Sequence, residues 1–367
     1  METLPNSPQI VHVGLPEKNP QLITKLDEGI IANRLVERNE FINKQKKHLT
    51  SFTDVEQLVV ARADQFVYEY CNRKLADLGL PPSSENNIPK PIYVKKMPSK
   101  NMVGGFSPRY GLIVVDANPQ RRDLLVTSSA IMHESSHALA KTKNYLFWEE
   151  KKGQPASLEL TETVGMPSIV KKKAKALLIE EGLAGMDTAD FFLKYADKID
   201  PQALEKRQGL RQNKIIKGVL KRLNNSIYGP IDFNQALSNI WSEKYTLPIL
   251  GIKISLPYIG EVNIKILRTA EELCRTVGYV LSDSKEPAED FIKIGRDFLD
   301  KSRITGSREG LEKIVEVFGW QTRKILNVDR DFKNIDSVMK LIRNKQKELS
   351  LVNQPSAGER TRTSTSY

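Results

Sequence analysis

Leu124-Leu125-Val126-Thr127-Ser128-Ser129-Ala130-Ile131-Met132-His133-Glu134-Ser135-Ser136-His137-Ala138-Leu139-Ala140 is the stretch around which the chain is organised. It reads as a helix, and it contains His-Glu-Ser-Ser-His. Residues four apart on a helix stack on one face, so His133 and His137 point the same way and can grip one Zn²⁺. Glu134, one step round, can sit beside a water at the metal without ligating the metal, which suits a general base. The chain holds only four histidines, His12, His48, His133 and His137. The competing reading is two polar histidines on a solvated helix face.

Working outward toward the amino terminus, Asp116-Ala117-Asn118-Pro119 supplies a start for this helix, with Asn118 as cap and Pro119 at the first helical position. Three short strands are expected before it, at Ile92–Val94, Met102–Phe106 and Leu112–Val115, the last two joined by a turn at Ser107–Gly111. Further upstream, Thr53-Asp54-Val55-Glu56 is a capping box. Val60, Ala63, Val67, Cys71, Leu75 and Leu78 follow at helical spacing until Gly79 stops the helix. Residues 1–20 read as an extended arm, and a polar helix is expected over Gln21–His48.

Toward the carboxyl terminus, residues 141–167 read as a long irregular stretch holding Trp148, Glu149, Glu150, Glu159 and Glu162. A helix is expected from about Ser168, bearing Lys171-Lys172-Lys173 outward and continuing through Glu180-Glu181-Gly182-Leu183-Ala184. The remainder reads as mostly helical. Ile266, Leu267, Ala270, Leu273, Cys274, Val277, Val280 and Leu281 form one apolar face, and Phe291, Ile294, Phe298 and Leu299 a second. Ser307 can cap a helix bearing Leu311, Ile314, Val315 and Phe318, and Tyr258–Ile264 can contribute a short hairpin. Residues 353–367, rich in Ser, Thr, Gly and Arg, are expected to be disordered.

Composition narrows the classes. Only Cys71 and Cys274 are present, without Cys-x-x-Cys spacing, so neither a disulfide framework nor a thiolate metal site is indicated. The start of the chain lacks the basic segment and apolar run of a secretory signal, and no run of 18 apolar residues occurs. A cytoplasmic protein without a membrane span is therefore expected. Net charge is +11. Residues 1–190 carry 25 basic against 23 acidic side chains and residues 191–367 carry 31 against 22, so the excess belongs to the second half. Its densest run is Lys206, Arg207, Arg211, Lys214, Lys217, Lys221 and Arg222, read as a solvated helix face that binds nucleic acid weakly or not at all.

With these residues in view, the region from about 53 to 190 resembles the zincin metallopeptidases, in particular the gluzincin branch, whose third zinc ligand is a glutamate on a later helix. The resemblance rests on His133-Glu134-Ser135-Ser136-His137 followed by Glu181-Gly182-Leu183-Ala184, and covers less than half the chain. It implies Zn²⁺ held by His133, His137 and Glu181. A catalytic site needs three protein ligands and an open position. No histidine follows His137, so a carboxylate is required, and Glu180, Glu159 and Glu162 compete with Glu181. Two departures stand out. Ser136 occupies a position where many relatives have Gly, and its hydroxyl is expected to bond back to the preceding turn. Gly185 stands where some gluzincins place an acidic residue behind the metal, which leaves Asp187 as a substitute. For the transition-state group the candidates are Tyr195, Tyr228, Tyr245, Tyr258 and Tyr279.

The expected fold is α+β: an arm and helix over 1–52, a zincin-like catalytic domain with a small sheet and the metal-binding helix over 53–190, a mostly helical subdomain over 191–350, and a tail over 351–367. The expected activity is zinc-dependent hydrolysis of a peptide or protein substrate, with Glu134 as general base and the edge of strand Leu112–Val115 pairing with the peptide. The alternatives are an inactive zincin-like scaffold, against which the intact Glu134 argues, and a non-peptidase zinc hydrolase.

Overall fold

The computed structural model describes residues 9–13, 20–83, 88–95, 97, 103–118, 123–151, 154–166, 168–170, 173–231, 233–246, 253–282, 290–328 and 332–349. A strand β1 (Gln9–Val13) lies in the expected arm, followed by helix α1 (Pro20–Gln45) and then α2 (Asp54–Asp77). The capping box of α2 is formed: Thr53 Oγ1 accepts from Glu56 N–H at 3.3 Å and Glu56 Oε2 accepts from Thr53 N–H at 2.8 Å. All six residues of its apolar stripe, Val60 to Leu78, are buried, and Gly79 leaves the helix at φ +67°.

Strands β2 (Ile92–Val94), β3 (Gly104–Ser107) and β4 (Leu112–Asp116) make a sheet in the order β2-β4-β3, with β2 parallel and β3 antiparallel to β4. Every residue of β4 is buried, as expected of a strand paired on both sides. This corrects the substrate expectation, because Leu112–Val115 has no open edge: β3 occupies it. Met102, expected in the preceding strand, lies outside the described residues.

Helix α3 (Leu124–Leu139) carries the histidines. Its cap is Asp123, whose Oδ1 accepts from Val126 N–H at 3.0 Å. Asn118 does not cap it; its N–H turns back to Asp116 Oδ1 at 3.2 Å. Nearly every residue of α3 is buried, so the reading of a solvated face fails.

The stretch after α3 is not irregular. It forms a hairpin of β5 (Thr142–Lys151) and β6 (Gln154–Val164), with β1 parallel to β5 on the other side. Adjacent Tyr145 and Leu146 are both buried, so β5 lacks the alternation by which a strand is read. Strands β7 (Ser168–Val170) and β8 (Lys173–Lys175) then pair, and helix α4 (Leu177–Ile199) starts nine residues later than expected. Lys171 and Lys172 lie outside the described residues.

Past α4 come α5 (Pro201–Gly209), α6 (Lys214–Asn224) and the short α7 (Phe233–Ala236), then the antiparallel pair β9 (Ile240–Thr246) and β10 (Lys253–Ile259). That hairpin precedes the one expected at 258–264, where α8 (Glu261–Leu281) already begins. Helices α9 (Phe291–Thr305), α10 (Glu309–Phe318), α11 (Thr322–Leu326) and α12 (Ile335–Glu348) complete the fold. The architecture is thus mixed α and β, mostly helical, with small sheets and a helical carboxyl-terminal half. Val315 is exposed and does not join the apolar face of α10. Residues 351–367 lie outside the described residues. The boundary expected at 190 falls inside α4, which runs unbroken and supplies two cores. Phe191, Phe192, Tyr195 and Ile199 pack with α2, α3, α5 and α6, while Leu178, Ile179, Leu183 and Met186 pack with α8 to α12. Among the described residues, no helix is long and apolar enough to cross a membrane.

Candidate metal centre

Helices α3 and α4 cross so that His133, His137 and Glu181 meet. His133 Nε2 lies 3.2 Å from His137 Nε2 and 3.1 Å from Glu181 Oε2, and His137 Nε2 lies 3.6 Å from Glu181 Oε1. Ligand atoms about 2.0–2.1 Å from a tetrahedral zinc are about 3.3 Å apart, so this triangle has the size of one face of that tetrahedron. Two histidines and one carboxylate are also the donor set of a catalytic rather than a structural zinc site. Among the described residues, it is the one group of three His, Cys, Asp or Glu side chains placed to hold an ion. His133 Nδ1 faces Thr188 Oγ1 at 3.5 Å, and that hydroxyl donates to Ala184 C=O at 2.8 Å. With its own proton committed, the hydroxyl can only accept from His133, which suits a proton on Nδ1 and would free the Nε2 lone pair once a metal replaced its contact with Glu181.

Electrostatics fit the same reading. Burial opposes charge on His137, but the Glu181 carboxylate overrides it and pushes the imidazole up to about 9. Burial likewise opposes charge on Glu181, yet His137 and the hydrogen bonds from both imidazoles hold the carboxyl well below its ordinary range. The point between these groups favours positive charge.

Glu134 sits beside the triangle and outside it. Burial raises its carboxyl above the usual range, opposed by the two histidines and by a hydrogen bond from Phe106 N–H. Strand β3 runs directly against it: a Cβ on Gly104 would lie 3.0 Å from Glu134 Cγ, so any larger residue there would have to push the Glu134 side chain aside. Val103 C=O accepts from Asp116 N–H on the β4 side, so alternation turns the backbone groups of Gly104 and Phe106 to the opposite edge, on which no strand pairs among the described residues. Gly104 was not singled out from sequence. The signal available was a Gly-Gly pair within a strand.

The competing carboxylates separate. Glu180 lies outside the triangle and accepts from Met166 N–H at 3.1 Å. Glu159 and Glu162 lie on β6, and their side chains are outside the described residues. Asp187 does not stand behind a histidine. It is fully buried and accepts instead from Ser136 Oγ at 2.5 Å, Lys74 Nζ at 2.5 Å, Arg296 Nη2 at 2.8 Å and Arg303 Nη2 at 3.3 Å. The Ser136 hydroxyl therefore bonds across to α4 and not back along its own helix. In Glu181-Gly182-Leu183-Ala184 the glycine has a packing cause, because a Cβ there would lie 2.4 Å from Ala270 Cβ on α8.

The tyrosines are engaged elsewhere. Tyr195 donates to Glu69 at 3.2 Å, Tyr228 donates to Asp336 at 2.5 Å, Tyr258 packs on Trp241 and Tyr279 stands edge-on to Phe291. The Tyr245 side chain is outside the described residues. In the basic run six side chains are exposed, whereas Arg207 is buried and clamps the α3 cap, Asp123, at 2.6 Å. Cys71 and Cys274 are free and buried, as expected.

Comparison of the chain with protein-family models, with curated proteins and with solved structures returned no match.

Proposed function

We propose that this chain is a zinc-dependent metallopeptidase of gluzincin-like, α+β design, acting on a peptide or protein substrate. The observation that carries this reading is the triangle of His133 Nε2, His137 Nε2 and Glu181 carboxylate oxygens, at zinc spacing, with Glu134 adjacent to it and outside it. Zinc held there supplies a Lewis acid and lowers the pKa of a water. Glu134 takes the proton of the attacking water and delivers it to the leaving amine. The open edge of β3 holds an extended peptide by backbone hydrogen bonds through Gly104, which brings the scissile bond to Glu134 without demanding a sequence. The intact Glu134 beside the triangle argues against a scaffold that has abandoned turnover. The β3 edge beside Glu134, unpaired among the described residues, favours a peptide over a small non-peptide substrate.

The experiment is metal analysis of the purified chain together with digestion of a mixed peptide library. About one zinc per chain and cleavage that stops with chelator and returns with zinc are expected. A chain that takes up no zinc contradicts the metal assignment; zinc uptake without cleavage contradicts the peptidase assignment alone.

A further inference from the structure

Three side chains, one on the metal helix and two packed behind it, have no part in the proposed chemistry, yet they join its end to two other helices. Helix α3 stops at Leu139, and Ala140 turns into extended backbone with its N–H on His137 C=O at 3.1 Å. The Ser136 carbonyl thereby lacks the N–H four residues on that a continuing helix would offer it. Arg303, from α9, fills the gap: its Nη1 donates to Ser136 C=O at 3.2 Å, and its own carbonyl accepts Lys141 N–H at 3.1 Å. The other guanidinium nitrogen, Nη2, reaches Ser136 Oγ at 3.0 Å, Asp187 Oδ2 at 3.3 Å and Asp300 Oδ1 at 3.0 Å. Ser136 Oγ closes the loop on Asp187.

This places a direct bond between the two ligand-bearing helices. Ser136 immediately precedes His137 and lies three residues after His133; Asp187 is six residues beyond Glu181 and precedes Thr188, which faces His133. A helix gains 1.5 Å per residue, so a slide of α3 against α4 by one residue would open the 3.1–3.6 Å triangle while also breaking the Ser136–Asp187 bond.

We infer that Ser136, Asp187 and Arg303 form a positioning device, in which α9 of the carboxyl-terminal half sets the offset of α3 against α4 and so the spacing of the metal ligands. The inference rests on the metal assignment made above. None of the three residues touches the metal position, so all are positioning residues.

The test uses Ser136→Ala in the full chain, because it removes the direct bond from α3 to Asp187 and the hydroxyl contact with Arg303, while Asp187 keeps Lys74, Arg296 and Arg303 as partners. Ser128→Ala is the comparison: it lies on the same helix and is equally buried, but its hydroxyl bonds only within α3, to Leu124 C=O. Zinc affinity is read by competition with a chromophoric chelator, and the melting temperature of each variant is read in excess EDTA. Ser136→Ala is expected to bind zinc about 10- to 100-fold more weakly than wild type, while Ser128→Ala binds as wild type does and the two melt at similar temperatures. Unchanged affinity in Ser136→Ala overturns the inference and leaves the metal site standing. So does a loss in both variants that tracks their melting temperatures, which would make the effect one of stability. No zinc uptake by wild type removes the metal assignment and this inference together.

Discussion

Glu181 and Asp187 are carboxylates six residues apart on one helix, and their surroundings are opposite. Asp187 is fully buried and saturated by Lys74, Arg296 and Arg303, three cations that the fold carries with it. Glu181 is half-buried and faces two imidazole nitrogens, and the three groups are placed so that they could share a cation supplied from outside. The saturated cluster holds helices together; the other gathers negative charge and lone pairs about a single point. A buried carboxylate is thus not evidence of a metal site until its neighbours are counted, and here they favour Glu181 over Asp187 for the proposed ligand.

Exchange experiments can break that contrast. The largest effect is expected from Glu181→Ala, which should weaken zinc binding by orders of magnitude in chelator competition, because two histidines alone leave the ligand set incomplete. Next is Arg303→Met, which strips a buried guanidinium from Asp187, Asp300 and Ser136. It should lower unfolding free energy by about 3–5 kcal/mol in urea titration. Glu180→Ala is expected to cost about 1–3 kcal/mol, since the buried Met166 N–H loses its acceptor, while zinc affinity stays at the wild-type value. If Glu180→Ala strips the metal and Glu181→Ala does not, the contrast is drawn between the wrong pair.

The smallest effect concerns acid. Burial opposes charge on Asp187, but Lys74, Arg296 and Arg303 hold its carboxyl far below the ordinary value of 3.8. Its folded pKa is the lower one, so its contribution is fully present above 3.8 and is lost as pH falls below that value, where the unfolded chain binds the proton first. Wild-type stability relative to Asp187→Asn should therefore be flat above pH 5 and fall by up to about 1.4 kcal/mol per pH unit below 3.8. Chemical denaturation across that range checks the slope.

What was legible in the sequence follows from distance along the chain. His133, Glu134 and His137 declare themselves because helical geometry converts a spacing of four into a shared face. The Thr53 capping box and the α2 stripe are equally local. Glu181 needed a motif 44 residues past His137 in addition to the spacing rule. Asp187, Arg303 and Arg207 were beyond reach for another reason: their partners lie 116 residues apart for Arg303 and Asp187, and 84 for Arg207 and Asp123. In local context Arg207 is one more charge in a basic run, and only the fold turns it inward. The β5–β6 hairpin was missed because burial of neighbouring Tyr145 and Leu146 erased the two-residue period. Leu112–Val115 was rightly read as a strand but wrongly given an edge, since pairing order is set by β3, on the far side of a turn.

Glu134 bears most directly on the central claim, because only catalysis distinguishes its carboxylate from an amide of the same shape. Glu134→Gln keeps size and most hydrogen bonding and cannot take up the proton. Zinc content and peptide hydrolysis should be measured side by side on wild type and this variant. The account predicts equal zinc and at least about a 10²-fold loss of hydrolysis. Hydrolysis retained at the wild-type rate with zinc still bound would contradict it.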